Sequence, residues 1–238
     1  MPASTATLQA TSSVAGIHKR ELESALSSFE KRVLVWLAQR LPGWINSDHL
    51  TALGAVAMLG TGLSFAAAAL SPRALLLVPV FLALNWFGDS LDGTVARVRN
   101  HQRPRYGFYI DHVVDVWNAT MLFAGLAVSG LTSPWIASAL LVVYLLLAAE
   151  SFLATHALGV FRISFAGFGP TELRIVLSIG ALAAMIKPIV SVFGLDAFRL
   201  FDVGGVVALA GMLVAFFVSA ARNTAALYRA EPLHRSER

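Results

Sequence analysis

Long apolar stretches dominate the chain from residue 50 onward, and each is close in length to a membrane-spanning helix. A helix needs about 20 apolar residues to cross the hydrocarbon core of a bilayer. Short breaks rich in Pro, Ser or Gly separate six such stretches, and Lys187-Pro188 interrupts the fifth; the stretches are 50–70, 74–97, 108–130, 134–157, 170–192 and 200–224. The pattern predicts an all-α, polytopic membrane protein with six transmembrane helices.

The segment before the first span has an amphipathic pattern instead. Between residues 18 and 44, charged residues alternate with apolar residues at helical spacing, namely Leu22, Leu26, Phe29, Val33, Trp36 and Leu37. This pattern predicts an N-terminal juxtamembrane helix over 18–44 that lies in the membrane interface, with an ordinary surface helix as the alternative. The Ser/Thr/Ala-rich residues 1–17 are expected to be disordered. A six-span membrane domain would then occupy 45–227, followed by a polar tail over 228–238.

The composition agrees with a membrane protein and excludes several other classes. Hydrophobic residues make up 57% of the chain and charged residues only 13%, too few to cover the surface of a soluble domain of this size. Cysteine is absent, which excludes disulfide frameworks and thiolate metal sites. The net charge is +4. Because the basic residues flank apolar runs, the positive-inside rule explains them better than nucleic-acid binding does.

The distribution of Lys and Arg predicts how the chain is oriented in the membrane. With six spans, 15 of the 18 basic residues fall on one side, and the other side has only Arg73, Lys187 and Arg199. The positive-inside rule places the richer side in the cytoplasm. We therefore expect an integral protein of a cytoplasmic or inner membrane, with both termini and the 98–107 loop on the cytoplasmic side.

Four aspartates lie at the predicted cytoplasmic ends of the second and third spans. An ionised side chain costs about 2.5–3.5 kcal/mol near the centre of a bilayer, so such residues need partners or water. At about 100° per helical residue, the acids share narrow stripes with small residues. One stripe holds Asp89, Asp92, Gly93 and Ala96, and the other holds Gly107, Asp111 and Asp115. The intervening loop lets the two helices pack antiparallel, so the stripes can face each other.

The chemistry of four facing carboxylates points to bound cations. The carboxylates would repel one another, and hard oxygen ligands without cysteine select Mg²⁺, Mn²⁺ or Ca²⁺. Two divalent ions could also clamp a pyrophosphate. Gly93 and Ala96 would let a bulky ligand approach the helix backbone, and Arg97 could bind phosphate or cap its helix. A simple helix–helix hydrogen bond would explain one intramembrane aspartate, but not four in register.

At these residues the sequence resembles the CDP-alcohol phosphotransferase family. The family signature is Asp-x-x-Asp-Gly-x-x-Ala-Arg followed, after a gap, by Gly-x-x-x-Asp-x-x-x-Asp. Every fixed position of the signature is present, although the gap is one residue longer than usual; the matching residues are Asp89, Asp92, Gly93, Ala96, Arg97, Gly107, Asp111 and Asp115. The six-span layout extends the resemblance over roughly residues 40–225.

The resemblance implies roles for these residues. Asp89, Asp92 and Asp111 would ligate two divalent cations, Mg²⁺ or Mn²⁺, with Asp115 beside the second cation. Asp115 would also be the general base on the attacking hydroxyl. Gly93, Ala96 and Arg97 would line the site for a CDP-linked donor, and CMP would leave. The resemblance also implies a lipid acceptor and a homodimer.

The start of the first span follows the family pattern only in part. Members often carry Pro-Asn-x-Leu-Thr there, whereas this chain has Ser47 to Thr51 and keeps only the Leu and the Thr. Thr51 is therefore expected to contact the nucleotide. Asp48 stands where Asn is usual, which puts that residue's nucleotide contact in doubt.

Two substrate assignments remain open. His112 directly after Asp111, together with Gly159 to Arg162 and Pro170 to Glu172, resembles the choline/ethanolamine phosphotransferase branch. That branch uses a CDP-linked polar alcohol, such as CDP-choline or CDP-ethanolamine, and a diacylglycerol-like acceptor. The alternative is a CDP-diacylglycerol-dependent phosphatidyltransferase that acts on a small polar alcohol. A divalent-cation transporter is an alternative of another class, because carboxylates also line ion pathways.

Three more charged residues have two possible roles each. Glu150, in the fourth span, either lines the acceptor pocket or is a hydrogen-bonded acid. Glu172 and Arg174 either contact the polar head of a substrate or cap and anchor the fifth span.

Overall fold

The computed structural model describes residues 27–158, 169–192 and 195–231, which form a mostly helical chain. The seven α-helices of these residues are α1 (Ser27–Arg40), α2 (Ser47–Ala67), α3 (Leu77–Val98), α4 (Pro104–Val128), α5 (Pro134–Leu158), α6 (Pro170–Ile186) and α7 (Leu200–Ala230). A short 3₁₀ helix (Pro72–Leu76) precedes α3, and two short strands, β1 (Ile189–Val192) and β2 (Leu195–Arg199), lie between α6 and α7.

Some of the sequence-based expectations concern segments outside the described residues. These segments are the disordered N-terminus 1–17, the first part of the amphipathic helix 18–44, the 159–162 motif and the end of the polar tail 228–238. Within the range predicted for the amphipathic helix, α1 is observed over Ser27–Arg40. Its position in the membrane interface and the domain boundaries at 45 and 227 stay predictions.

Among the described residues, four helices are long and apolar enough to cross a membrane, namely Ser47–Ala67, Pro72–Val98, Pro134–Leu158 and Leu200–Ala230. The other two predicted spans lie in α4 and α6 and do not meet that measure. Polar residues such as Asp111, Asp115 and Asn118 make α4 less apolar. With 17 residues, α6 spans about 26 Å at 1.5 Å per residue, less than the roughly 30 Å hydrocarbon core.

The fifth predicted span is wrong at its C-terminal end, where the chain is not all-α. Helix α6 ends at Ile186, and β1 pairs antiparallel with β2, with Ile189 opposite Arg199. Proline has no backbone N–H and disfavours the helical conformation of the residue before it. Because Pro188 follows Lys187, the helix stops there and the apolar residues that follow continue as a strand.

Small residues bring the helices that carry the aspartates close together. A Cβ atom built on Gly88 of α3 would lie 2.5 Å from the carbonyl oxygen of Leu50 on α2. A Cβ atom on Gly125 of α4 would collide with the backbone of Gly62 on α2. Such crossings let helix backbones approach closely, as is common in membrane helix packing. Helix α2 therefore lies against both α3 and α4, which places their polar ends side by side.

Helix α1 is attached to the same end of the bundle by apolar and polar contacts. Leu34 and Ala38 are buried in a cluster with Leu91 and Val95 of α3. The guanidinium of Arg99, just after α3, donates hydrogen bonds to the carbonyls of Leu41 (2.8 Å) and Ile45 (2.5 Å). These bonds satisfy carbonyls beyond the end of α1, which would otherwise lack partners. The contacts hold α1 beside the end of α3 that carries the aspartates.

Candidate active site

Three of the four aspartates meet between α3 and α4. Asp89, Asp111 and Asp115 each offer a carboxylate oxygen, and these oxygens all lie within 4.8 Å of one another. Two unit charges at that separation repel by about 3.5 kcal/mol in a medium with an effective dielectric constant near 20. A divalent cation would remove this repulsion, and carboxylate oxygens are the ligands that Mg²⁺ and Mn²⁺ prefer. The donor set of the cluster therefore fits a divalent metal ion.

Asp92 lies in the same cavity but outside this group of three. The hydroxyl Oγ1 of Thr51 donates a 2.6 Å hydrogen bond to Oδ2 of Asp92, and the backbone N–H of Gly93 donates a 2.5 Å bond to Oδ1. Both oxygens of this carboxylate thus have donors from the protein. Thr51 was expected to contact the nucleotide. In the structure its hydroxyl is hydrogen-bonded to Asp92 of the signature.

The residues of the signature line one cavity of about 780 Å³. Its wall includes Asp89, Asp92, Gly93, Ala96, Arg97, Gly107 and Asp111, together with Thr51. The structure thereby brings together seven of the eight signature positions that the sequence marks, with Asp115 adjoining through the carboxylate cluster. Their proximity follows from the helical stripes of α3 and α4, which were predicted to face each other.

Basic residues surround the acidic part of the cavity. Arg97 donates a 3.0 Å hydrogen bond to the hydroxyl of Thr94, and its guanidinium lies 3.3 Å from the place where a Cβ atom of Gly93 would be. Arg103 donates a hydrogen bond to Asp48 within an ion pair. This hydrogen bond raises the pKa of the Arg103 guanidinium. Asp48, the departure from the family pattern, therefore has a basic partner at the rim of the cavity.

Arg174 of α6 reaches across to the aspartate cluster. Its Nη2 lies 2.5 Å from Oδ2 of Asp89, in an ion pair whose side chains are 13% and 24% exposed. Its Nε donates a 2.8 Å hydrogen bond to Oδ1 of Asn85, one helical turn before Asp89. Of the two roles predicted for Arg174, the structure shows the anchoring of its helix. The guanidinium attaches α6 to Asp89 of the site.

Glu172 and Glu150 both have partners within the protein. Oε2 of Glu172 accepts a 3.0 Å hydrogen bond from the backbone N–H of Gly169, which caps the start of α6. Ser219 and Asn223 of α7 donate hydrogen bonds of 2.8 Å and 2.6 Å to the two oxygens of Glu150. Glu172 also lines the cavity, whereas Glu150 lies on the side of α5 that faces α7.

His112 is held among aromatic rings next to the cluster. Its Nδ1 lies 2.6 Å from the carbonyl oxygen of Phe108, so Nδ1–H is the donor of this bond. Its ring centroid is 4.1 Å from that of Phe108 and 4.4 Å from that of Phe152 on α5. The histidine that follows Asp111 therefore packs α4 against α5 and fixes the helix that carries two of the carboxylates.

Asn85 and Lys31 are among the residues of the site that were not identified from the sequence. Asn85 binds Arg174, and Lys31 of α1 lines the cavity. Asn85 could have been found as a polar residue four positions before Asp89 within an apolar run. Lys31 could have been found as a basic residue at helical spacing from the apolar positions Leu34 and Ala38, which face α3.

The fold and the cavity define a helical membrane protein with an acidic site suited to a divalent metal. A family model described as CDP-alcohol phosphatidyltransferase matches residues 46–221. The chain therefore belongs to the CDP-alcohol phosphatidyltransferase family, which confirms the resemblance found in the signature. Family membership supports an enzyme of the transferase class that acts in phospholipid synthesis.

Comparison with solved structures supports the same fold. The chain is similar to the crystal structure of a Mycobacterium tuberculosis phosphatidylinositol phosphate synthase with CDP-DAG bound, with a TM-score of 0.56 and 18% sequence identity. The similarity covers 87% of this chain and 100% of the other. At this identity the likeness shows a shared fold alone. A search among curated proteins finds no match.

Proposed function

We propose that the protein transfers a substituted phosphate group from a CDP-linked alcohol, such as CDP-ethanolamine or CDP-choline, to the hydroxyl of a lipid acceptor, and releases CMP. The observation that carries this proposal is the meeting of Asp89, Asp111 and Asp115 beside a cavity lined by the rest of the family signature. A cluster of carboxylates next to basic residues suits a metal-bound pyrophosphate.

Seven of the eight signature residues have a role in this proposal. Asp89, Asp92, Asp111 and Asp115 would hold two divalent cations, Mg²⁺ or Mn²⁺. Bound there, the cations would neutralise the carboxylates and the pyrophosphate, which would make CMP a better leaving group. Gly93, Ala96 and Arg97 of the signature would bind the donor. Thr51, which orients Asp92, would bind it as well, and all four residues line the cavity.

The reaction needs one proton acceptor, and in this proposal Asp115 has that role. The acceptor hydroxyl gives its proton to the Asp115 carboxylate as its oxygen forms a bond to the phosphorus distal to cytidine. The bond between that phosphorus and the bridging oxygen breaks, and the oxygen leaves with CMP. Arg97 would stabilise the charge on the departing phosphate, since its guanidinium lies in the cavity wall.

The pairing of the arginines favours a neutral lipid acceptor. Arg103 and Arg174 line the cavity, but each already forms an ion pair, with Asp48 and Asp89 respectively. Fewer basic side chains are then left to bind an acceptor that carries a phosphate group of its own. His112 and the Pro170–Glu172 segment, which resemble the choline/ethanolamine branch, agree with this choice.

A second candidate is a CDP-diacylglycerol-dependent phosphatidyltransferase acting on a small polar alcohol. The observation in its favour is the similar solved structure, which holds CDP-DAG. The transporter hypothesis is less well supported, because the four aspartates all lie in the halves of α3 and α4 that adjoin the loop between these helices. A transporter would be expected to place them near the midplane, with access from both sides.

In the membrane, we propose six spans with the cavity at the cytoplasmic face, and a homodimeric protein. Besides the four apolar helices, α4 and α6 would cross the bilayer, because α4 packs against α2 and α5 and α6 packs against α3. Arg73, Lys187 and Arg199 all lie at the ends of elements remote from the aspartates. The basic residues of the cavity would then face the cytoplasm, from which a water-soluble donor such as CDP-choline could enter.

The experiment that tests this function offers different donors to the purified protein in lipid micelles. CDP-choline or CDP-ethanolamine is supplied with diacylglycerol, and CDP-diacylglycerol with small polar alcohols, each with Mg²⁺; CMP and lipid products are then separated by chromatography. Acceptor-dependent CMP release from CDP-choline or CDP-ethanolamine is expected. Release from CDP-diacylglycerol alone would select the second candidate, and no release from any donor would reject a transferase.

A further inference from the structure

A chain of three polar side chains connects α2, α3 and α6 to the carboxylate cluster. Asn85 of α3 is fully buried, and its Nδ2 donates a 2.9 Å hydrogen bond to the carbonyl oxygen of Gly54 on α2. Its Oδ1 accepts the 2.8 Å bond from Nε of Arg174, whose Nη2 lies 2.5 Å from Oδ2 of Asp89. We call this set Asn85, Arg174 and Asp89 the relay.

The geometry of the relay fixes the orientation of one carboxylate. A guanidinium is planar and presents its donors in a rigid fork, so a bond at Nε also fixes the direction of Nη2. Asn85 cannot rotate freely because both ends of its amide have partners, Gly54 and Arg174. The Oδ2 atom of Asp89 is thus held toward α6 by Arg174, and the orientation of the whole carboxylate within the cluster of Asp89, Asp111 and Asp115 is fixed with it.

We propose that Asn85 and Arg174 are positioning residues that set the affinity of this site for its divalent cation, by holding the Asp89 carboxylate in the orientation for binding. The inference rests on the proposed metal site and goes beyond the signature, which contains neither residue. Partners that orient metal ligands through a second layer of hydrogen bonds commonly change metal affinity by about 10- to 100-fold when they are removed.

The charge of Arg174 complicates its own substitution. Its positive charge repels a cation at Asp89, whereas its hydrogen bond orients the ligand, so removal of Arg174 would change two opposing effects. Asn85 is neutral and does not line the cavity. Asn85→Ala therefore removes the bond that orients Arg174, together with the bond to Gly54, and leaves every charge in place. Arg174→Lys is the second variant, because lysine keeps the charge but cannot reproduce the two-bond fork.

The test measures Mn²⁺ binding to the purified full chain in micelles, in the absence of any donor, through the electron paramagnetic resonance signal of free Mn²⁺. Monodisperse Asn85→Ala and Arg174→Lys proteins are compared with the wild type. The matched control is Thr132→Val, which also removes a buried hydrogen bond, the 2.6 Å bond to Asp202, but at the opposite end of the bundle.

We expect Mn²⁺ affinity to fall about 10- to 100-fold in both relay variants and to stay unchanged in Thr132→Val. At saturating Mn²⁺, the turnover of Asn85→Ala should return toward the wild-type value. Unchanged Mn²⁺ affinity in the two relay variants, with stability lowered as in the control, would show that the relay only joins helices and would overturn the inference. A wild type that binds Mn²⁺ without releasing CMP would instead reject the proposed function and leave the inference standing.

Discussion

The hydroxyl of Thr51 lies 2.6 Å from the carboxylate of Asp92, although 41 residues separate them in the chain. This hydrogen bond joins the first turns of α2 to the acidic end of α3 inside the cavity. The same hydroxyl oxygen lies 3.1 Å from the carbonyl oxygen of Ser47, one turn earlier in α2. The threonine thereby sets the position of the one signature carboxylate that lies outside the cluster of three.

Substitution of Thr51 is predicted to weaken donor binding. In Thr51→Val the carboxylate of Asp92 loses a donor, and hydrogen bonds to charged groups contribute about 1.5–3 kcal/mol. We expect the KM for the CDP-linked donor to rise about tenfold or more, with a smaller change in kcat. Steady-state CMP release at fixed Mg²⁺ measures both constants. Thr51→Ser, which keeps the hydroxyl, should restore the wild-type KM; equal defects in the serine and valine variants would contradict the role of the hydrogen bond.

Asp115 is predicted to be essential for turnover and not for folding. Asp115→Asn removes the proton acceptor, and the loss of a general base typically lowers the rate by about 10²- to 10⁴-fold. Rapid-quench measurement of CMP release gives the rate, and equilibrium binding of the labelled donor shows that the cavity still forms. The matched control is Asp202→Asn, the same chemical change at a carboxylate that binds Thr132 and the backbone of Ser133. Wild-type turnover in Asp115→Asn would remove Asp115 from its role.

The sequence could predict the carboxylate cluster because helical periodicity is a local property. The spacing of Asp111 and Asp115 places them on one face of α4 wherever that helix lies. The ion pair between Arg174 and Asp89 joins residues 85 positions apart, and it depends on how α6 packs on α3. No local pattern encodes that packing, so the same sequence left Arg174 with two possible roles and did not identify Asn85.

The end of the fifth span shows another limit of periodicity. Apolar residues continue past Lys187-Pro188, and hydropathy alone cannot tell a helix from a strand. The observed pairing of Ile189 with Arg199 depends on the return of the chain in β2. The proline indicates where α6 stops, but only the tertiary structure shows that two antiparallel strands follow.

Removal of the metal is predicted to abolish activity reversibly. Treatment with EDTA should stop CMP release, and Mg²⁺ or Mn²⁺ should restore it, because the carboxylates of Asp89, Asp111 and Asp115 are held within 4.8 Å. A ligand at 100 times its dissociation constant stabilises the folded state by about 2.7 kcal/mol. Mg²⁺ should therefore raise the unfolding temperature of the wild type but not of Asp89→Asn. Full activity after exhaustive chelation would contradict a metal-dependent reaction.

Glu150 is predicted to contribute to stability and not to catalysis. Its carboxylate accepts hydrogen bonds from Ser219 and Asn223, which attach α7 to α5. Interhelical hydrogen bonds in membranes contribute about 0.6–2 kcal/mol each. Glu150→Ala should lower the unfolding temperature in micelles while kcat and the KM for the lipid acceptor stay unchanged. The double variant with Asn223→Ala should lose little more, whereas a raised KM for the acceptor would assign Glu150 to the acceptor pocket.

In the proposed reaction the donor's phosphate group passes to an alcohol while CMP leaves, and isotopic labelling follows that phosphate. The donor carries ³²P at the phosphate distal to cytidine, and the wild-type protein is incubated with it, the acceptor and Mg²⁺. We expect the label to enter the lipid product in equal amount to the unlabelled CMP released, and both to form at least about 100-fold more slowly with Asp115→Asn. Label recovered in the nucleotide, or released as a water-soluble phosphate without lipid product, would contradict it.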